Sequence, residues 1–194
     1  MDLLKKMSID IKNIINDHIN TTNSLLNDID SIKEICFLAF ETIKNGKTIL
    51  LCGNGGSASD SIHIAAELVG RFEEDRTPLP AIALTANPAN LTAIGNDYGF
   101  EYIFSRQVEA IGKEGDAFIG LSTSGNSKNV INGINKANSM GITTIGLTGQ
   151  DGGLMQGTNC KLLKVASKNT ARIQEVHILV GHIICSYIEK NKFQ

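Results

Sequence analysis

The sequence predicts an α/β protein: a three-layer α-β-α sandwich on a five-stranded parallel sheet, doubly wound and flavodoxin-like, with an N-terminal helical extension. Five short apolar runs recur after residue 47, and unbroken apolar runs of this length suit strands that are buried on both faces. Segments with helical spacing of apolar residues separate most of these runs. Such alternation is typical of a parallel sheet with helices on both sides.

Two helices are predicted before the first strand, because apolar residues recur at helical spacing through the first 45 residues. A polar stretch from Asn27 to Ser31 divides them, and Gly46 ends the second helix. The first helix has an apolar stripe without a partner nearby in the sequence, and such a helix usually packs on its own domain or on another subunit. We therefore expect a helical arm over residues 1–45 and a single sheet domain over residues 46–194.

The elements of the sheet domain follow from the same alternation of patterns. The predicted strands are residues 48–53, 81–86, 117–123, 143–149 and 161–167, and helices are predicted at 58–72, 99–112 and 126–140. Residues 171–190 are apolar on most faces, which predicts a buried final helix.

Composition excludes several classes of function. The formal net charge is only -2, which does not indicate a nucleic-acid-binding surface. No stretch reaches the roughly 18 apolar residues of a membrane span, and the N-terminal residues lack the apolar block of a signal peptide. The four cysteines are scattered, and Cys52 and Cys185 lie in apolar runs, which predicts buried free thiols. We expect a cytoplasmic protein that binds neither membrane nor nucleic acid.

Two loops rich in small and hydroxyl residues follow the first and third predicted strands. In doubly wound sheets, ligands bind beyond the carboxyl ends of the strands. Glycine lets backbone N–H groups approach an anion, and hydroxyls supply further donors, so the loops form a plausible phosphate cradle. Simple N-capping of the following helices is the alternative for either loop. The residues concerned are Asn54, Gly55, Gly56 and Ser57 in the first loop, and Ser122, Thr123, Ser124 and Ser127 in the second.

A dinucleotide site is the competing interpretation of the first loop. Gly53, Gly55 and Ala58 fit the G-x-G-x-x-G/A fingerprint after a strand. That fingerprint also needs an acidic residue at the end of the next strand to bind the ribose. Residues 83–87 contain no carboxylate, so the dinucleotide interpretation fails.

Four polar residues on two predicted helices have spacing that suits a metal site. His63 and Glu67 are four residues apart and share one helix face. Gln174 and His182, eight apart on the last helix, can point toward the same space if the two helices are adjacent. Together they make a credible four-ligand zinc set. Spacing alone equally fits a surface His–Glu pair and a hydrogen-bonded core histidine.

At these residues the chain resembles the sugar isomerase (SIS) domain family, and within it the bacterial phosphoheptose isomerases. The Ser-Thr-Ser-Gly-Asn-Ser loop is typical of SIS domains. The segments CGNGGSASDSIHIAAELVGRF, AIGNDYGFEYIFSRQVEAIGKEGD and ARIQEVHILVGHII carry the closer resemblance, which runs from about residue 45 to residue 190. Ala171 stands where some members have an aspartate, and the segment from Ser59 to Ile62 varies in the family.

The resemblance implies an enzyme that converts D-sedoheptulose 7-phosphate to D-glycero-D-manno-heptose 7-phosphate through an enediol, for lipopolysaccharide core or capsule. It implies Glu67 as the base, His182 as the acid, and one Zn²⁺ per subunit held by His63, Glu67, Gln174 and His182. It also implies a homotetramer with active sites at subunit contacts. The residues it assigns to the sugar phosphate are Asn54, Gly55, Gly56, Ser57, Glu67, Arg71, Asn96, Asp97, Ser122, Thr123, Ser124, Ser127 and Gln174.

Some of these assignments have plainer alternatives. Gly95, Asn96 and Asp97 form a common turn sequence, and Arg71 fits an exposed arginine at a helix end. Two other functions also remain open: a non-catalytic SIS protein that binds the bacterial replication initiator, and a module that senses sugar phosphates. The joint presence of Glu67, Gln174 and His182 favours the enzyme.

Overall fold

The computed structural model describes residues 10–191. Residues 1–9 of the predicted arm and residues 192–194 of the predicted sheet domain lie outside the described residues. Within that range the chain forms five strands and seven α-helices, with 3₁₀ turns at Leu25–Asn27, Phe100–Tyr102 and Gly153–Gly157. The strands are β1 (Ile49–Cys52), β2 (Ala81–Ala83), β3 (Ala117–Ser122), β4 (Thr143–Gly149) and β5 (Lys161–Val165). The helices are α1 (Ile11–Ser24), α2 (Ile29–Lys44), α3 (Gly56–Val69), α4 (Pro88–Asp97), α5 (Ser105–Ile111), α6 (Lys128–Ser139) and α7 (Thr170–Lys190).

The five strands form one parallel sheet in the order β2-β1-β3-β4-β5. This is the doubly wound, flavodoxin-like order, in which the topological switch lies between the first and third strands. The predicted fold class is therefore confirmed. Because β2 and β5 are the edges, they are less covered than the centre: Ile82 is 44% exposed, whereas every residue of β1 and β3 is buried.

Side chains of the central strands alternate between two cores, as the pleat requires. Ile49 and Leu51 of β1 face one core, which the helices α2, α3 and α7 cover. Leu50 and Cys52 face the other core, which α5 and α6 cover. Burial on both faces explains why these strands appear in the sequence as unbroken apolar runs.

The region between β2 and β3 differs from the prediction. The second strand ends at Ala83 rather than at residue 86, and helix α4, which the apolar pattern did not predict, follows it. Asn87 caps α4 by accepting hydrogen bonds from the backbone N–H groups of Ala89 and Asn90. The predicted helix at 99–112 is broken, because Gly99 has a φ of 104° and α5 begins only at Ser105.

The N-terminal helices pack against α7. Nδ1 of His18 lies 2.7 Å from a carboxylate oxygen of Glu175, and Arg172 donates a hydrogen bond to the carbonyl of Ile14. Ile11 and Ile15 of α1 remain more than half exposed. Of the helices in the described range, none has the length and apolar character that a membrane crossing requires. The four cysteines are unpaired, and Cys52 and Cys185 are buried as predicted.

Candidate active site

The two small-residue loops meet at the carboxyl edge of the sheet. β1 and β3 are neighbours, so the loops that leave them flank the topological switch point, where open α/β sheets bind ligands. Asn54 of the first loop and Asn129, at the start of α6, exchange two amide hydrogen bonds of 2.9 and 2.8 Å. These bonds hold the loops together.

The hydroxyls of these loops do not serve as helix caps. Gly55 stands at the N-cap of α3 and Ser127 at the N-cap of α6, and neither makes a side-chain capping bond. Ser127 instead accepts a hydrogen bond of 2.9 Å from the hydroxyl of Ser122. Simple capping therefore does not explain the composition of the second loop, whereas a ligand at two helix N-termini would use both the hydroxyls and the backbone donors.

Gly125 sets the path of the second loop. Its φ of +67° is left-handed, and a Cβ there would lie 2.1 Å from the carbonyl oxygen of Gly152. The loop thus packs directly on the segment that follows β4, and Gly125 accepts a hydrogen bond from the N–H of Met155. Between these segments and the start of α7 lies a recess of about 290 Å³, whose lining includes Thr123, Ser124, Asn126, Lys168 and Thr170.

A second group of polar residues lies further along α3 and α7. The two helices approach closely at Gly181, where a Cβ would lie 2.4 Å from Cδ1 of Ile64. Because His63 and His182 are the chain neighbours of these two residues, this contact brings their rings together. Nε2 of His63 is 3.0 Å from Oε1 of Glu67 and 3.5 Å from Nε2 of His182.

These three side chains fit a tetrahedral metal ion. One ligand atom from each of His63, Glu67 and His182 lies within 4.8 Å of the others. Around a tetrahedral zinc with bonds of about 2.0–2.1 Å, neighbouring ligand atoms are about 3.4 Å apart, which is close to the spacing observed here. Two imidazoles and a carboxylate also form a donor set that suits zinc and leaves a fourth position open. We call these three residues the His63–Glu67–His182 cluster.

Gln174, the fourth predicted ligand, lies beside this cluster, because its partner Asp60 is close to both His63 and His182. Its amide nitrogen donates a hydrogen bond of 2.7 Å to Oδ1 of Asp60, and its side chain lies beside Gly56, within 3.4 Å of where a Cβ would stand. Gln174 therefore lies between the first small-residue loop, which includes Gly56, and the cluster.

Asp60 is a site residue that the sequence analysis missed. It is 5% exposed, and its Oδ2 has no hydrogen-bond partner within residues 10–191. Burial raises the pKa of this carboxyl above its ordinary value, while the hydrogen bond from Gln174 and the nearby rings of His63 and His182 oppose the rise. Its spacing was a usable signal: Asp60, His63 and Glu67 share one stripe of α3. A buried carboxylate oxygen without a partner, next to two imidazoles, points into a polar site.

Asn96 and Asp97 do not meet the cluster within one chain, and Arg71 lies far from the first small-residue loop. Asn96 and Asp97 are exposed in the last turn of α4, rather than in a turn between elements, and the amide of Asn96 donates to the carboxylate of Asp97. Helix α4 packs on the opposite side of the sheet from α3. Arg71 is exposed just after α3, about 20 Å along that helix from Gly56.

Comparison with known proteins identifies the family of this chain. Residues 16–149 match the model of the SIS domain family. The chain is 50% identical over 189 residues to the phosphoheptose isomerase of Campylobacter concisus, and the match covers 97% of this chain and 98% of that protein. It is 54% identical over 165 residues to that of Clostridium acetobutylicum, with 85% and 84% covered. The solved structure of the phosphoheptose isomerase from Neisseria gonorrhoeae matches with a TM-score of 0.85 at 41% identity, covering 92% of this chain and 97% of that one.

Proposed function

The chain belongs to the SIS domain family, and on that premise we propose that it is a phosphoheptose isomerase. It interconverts D-sedoheptulose 7-phosphate and D-glycero-D-manno-heptose 7-phosphate, as the similarity to phosphoheptose isomerases over nearly the whole chain supports. The product supplies the heptose of bacterial surface polysaccharides. The observation that carries the proposal is the convergence of Glu67 and His182 at a fixed distance from the two phosphate loops.

That distance suits a seven-carbon substrate. Seven residues of α3 separate Gly56, at the first phosphate loop, from His63 in the cluster, which is about 10 Å along the helix axis. An extended heptose phosphate has its phosphate at one end and the reacting carbons C1 and C2 at the other, separated by a similar length. A phosphate held by the loops would therefore place C1 and C2 at the cluster.

Glu67 and His182 supply the proton transfers. Isomerisation removes a proton from C1 of the ketose, forms an enediol and returns a proton to C2, which needs a base for carbon and an acid for oxygen. Glu67 takes the carbon proton and His182 exchanges protons with the oxygens. Of the two carboxylate oxygens of Glu67, only Oε1 makes a hydrogen bond to a described residue. We therefore assign Oε2 as the oxygen that acts as the base.

Zinc is the proposed cofactor, one ion per subunit. His63, Glu67 and His182 would hold it, and Gln174 would join them through its amide oxygen while its amide nitrogen stays bonded to Asp60. When bound, the ion acts as a Lewis acid toward the oxygens on C1 and C2.

A site that a second subunit completes would explain the positions of Asn96 and Asp97, which lie away from the cluster in one chain, and of the exposed Arg71. We propose a homotetramer in which Arg71, Asn96 and Asp97 act at a site shared with another subunit, because all three are exposed. The exposed apolar residues of α1, on the predicted arm of residues 1–45, offer surface for such contacts. The proposal places the enzyme in the cytoplasm, where its four unpaired cysteines stay reduced.

The decisive experiment measures aldose formation from sedoheptulose 7-phosphate by the wild-type protein and by Glu67→Gln. The substitution keeps the shape of the side chain and removes the base, so we expect turnover to fall by about 10²–10⁴-fold without a change in the melting temperature. Glu109→Gln, at an exposed carboxylate paired with Lys136, is the matched control and should remain active. A strong zinc chelator should abolish wild-type activity. Full activity of Glu67→Gln would refute Glu67 as the base, and a wild type that forms no aldose would refute the proposed function.

A further inference from the structure

A buried ion pair lies at the far end of α7 from the phosphate loops. Glu189 and Arg76 are joined by a hydrogen bond of 3.0 Å, and their side chains are only 2% and 4% exposed. Glu189 lies in the last turn of α7. Arg76 also donates hydrogen bonds of 2.7 and 2.8 Å to the carbonyls of Glu67 and Leu68, at the end of α3. The pair therefore links the last turns of α3 and α7.

The carboxylate of Glu189 also holds the segment that leaves α3. It accepts hydrogen bonds from three successive backbone N–H groups, those of Phe72, Glu73 and Glu74, at 2.9, 2.9 and 3.2 Å. Burial alone would raise the pKa of Glu189, but these three donors and Arg76 hold it below its ordinary value. The carboxylate is thus ionised, and each of its two oxygens accepts two hydrogen bonds. We call Glu189, Arg76 and the backbone of residues 72–74 the Glu189 clamp.

The clamp fixes the position of one aromatic ring. Phe72 stacks on the imidazole of His182, with ring centroids 5.5 Å apart and planes inclined by 27°. His182 also meets the ring of His63 edge to face, at 5.1 Å. Because His182 and Glu189 are seven residues apart on α7, they share one stripe of that helix. The segment held by Glu189 therefore passes directly over the ring of His182.

We propose that Phe72 is a positioning residue for His182, and that the Glu189 clamp holds Phe72 in place to do this. His182 is half-buried, and its imidazole makes no hydrogen bond among the described residues other than the contact with His63. The stacked ring restricts the imidazole to the plane in which Nε2 faces the cluster. The inference rests on the proposed function for its effect on turnover, but its effects on ring position and metal affinity do not depend on that function.

The first test reads whether the Phe72 ring stacks on His182 in solution. The chain has four histidines, so ¹³C-labelled histidine gives four ring signals that single substitutions can assign. Loss of the Phe72 ring current should shift the His182 signal in Phe72→Leu, and Phe72→Tyr should keep it near the wild-type value. Phe40→Leu is the matched control, because Phe40 also packs an aromatic ring on α7, against Tyr187 at 6.1 Å, away from the cluster.

The second test measures how the Phe72 ring affects metal binding and turnover. In Phe72→Leu, the loss of a stacked aromatic contact should lower Zn²⁺ affinity and kcat by about three- to tenfold each. Competition with a chromophoric chelator measures the affinity. The KM should stay within about twofold, since the phosphate loops dominate binding, a split expected when chemistry rather than binding is affected. Phe72→Tyr should restore both quantities. Glu189→Gln, assayed well below its melting temperature, should reproduce the effects of Phe72→Leu.

Several outcomes would overturn the inference. If the His182 signal and the Zn²⁺ affinity are unchanged in Phe72→Leu, the ring does not position His182. Equal losses in Phe72→Leu and Phe72→Tyr would mean that the stacked ring is not the cause. If Phe72→Leu acts as expected but Glu189→Gln does not, the clamp has no part in it; if Glu189→Gln fails to fold, Arg76→Lys replaces it. A wild type without isomerase activity would refute the proposed function and leave the ring-position and metal-affinity results to decide the inference.

Discussion

Replacing Gly181 by alanine should separate activity from stability, because this glycine sets the distance between α3 and α7. The new Cβ would lie 2.4 Å from Cδ1 and 2.6 Å from Cγ1 of Ile64, where ordinary contact begins at 3.4 Å. Ile64 is 1% exposed, and close packing leaves a buried side chain little room to turn. We therefore expect the two helices to separate by about 1 Å at this point.

The expected stability change is small because two effects oppose each other. Overpacking of this kind costs about 1–3 kcal/mol, whereas alanine is better than glycine in a helix interior by about 1 kcal/mol. The net destabilisation is then about 0–2 kcal/mol, which for a chain of this length lowers the melting temperature by less than about 8 °C. Activity is more sensitive, because a displacement of about 1 Å in a catalytic group can cost about 10²-fold.

The assay compares kcat/KM, Zn²⁺ affinity and melting temperature for Gly181→Ala. We expect kcat/KM to fall by about 10²-fold, with a weaker metal site. Gly133→Ala is the matched control: Gly133 lies on α6, on the opposite face of the sheet, and a Cβ there would lie 2.7 Å from the ring of Phe118. That variant should lose stability without a selective loss of activity.

A second substitution tests the cause. In Gly181→Ala with Ile64→Ala, the nearest remaining Ile64 atom is the Cβ position, 3.9 Å away, so the helices can approach again. The double variant should regain activity while its melting temperature falls further. If Gly181→Ala keeps wild-type kcat/KM and metal affinity, the helix contact does not set the geometry of the His63–Glu67–His182 cluster, and the reasoning is wrong.

Two further predictions concern buried polar groups. Asp60→Ala leaves the Gln174 amide without its acceptor and should lower stability by about 1–3 kcal/mol and Zn²⁺ affinity by about 10–100-fold. Asp60→Asn should keep the stability and lose only the affinity. A chelator titration that gives wild-type affinity for both variants would contradict this. His177 is fully buried, and desolvation lowers its pKa from 6.5 to about 4, so the unfolded chain takes up a proton first as the pH falls. Stability should drop by about 3 kcal/mol between pH 6.5 and pH 4, and denaturant titrations of His177→Gln should lack that part of the slope; equal slopes would show that His177 does not contribute it.

The fold was largely predictable, and its exceptions have identifiable causes. The central strands were predicted to within a residue or two because both of their faces are buried, which leaves a clear apolar run in the sequence. The second strand was predicted too long, since an edge strand is only partly covered and its apolar run continues into the next turn. Helix α4 was missed although the sequence carries its start signal, an asparagine cap followed by Pro88 at the first helical position.

The candidate site was predictable in its parts and less so in its arrangement. The spacing of His63 and Glu67 predicted one helix face, and the structure brings His182, predicted to converge on them from the last helix, next to both. Asp60 shares that face but was passed over, because its burial and its bond to Gln174 appear only when α3 and α7 are packed together. Asn96 and Asp97 lie on the opposite side of the sheet from the cluster in one chain, a placement that their local sequence does not encode.

The sequence by itself determined the strand–helix order, the two loops at the strand ends and the ligand-bearing faces of two helices. These features are local: apolar period, turn chemistry and capping act over a few residues and are visible in the chain. Only the tertiary structure decided how closely α3 and α7 approach at Gly181, that Gln174 binds Asp60, and that Glu189 holds the segment carrying Phe72 over His182. Those contacts join residues more than 100 positions apart, and their distances are set by how side chains fill the space between helices, which no local pattern encodes.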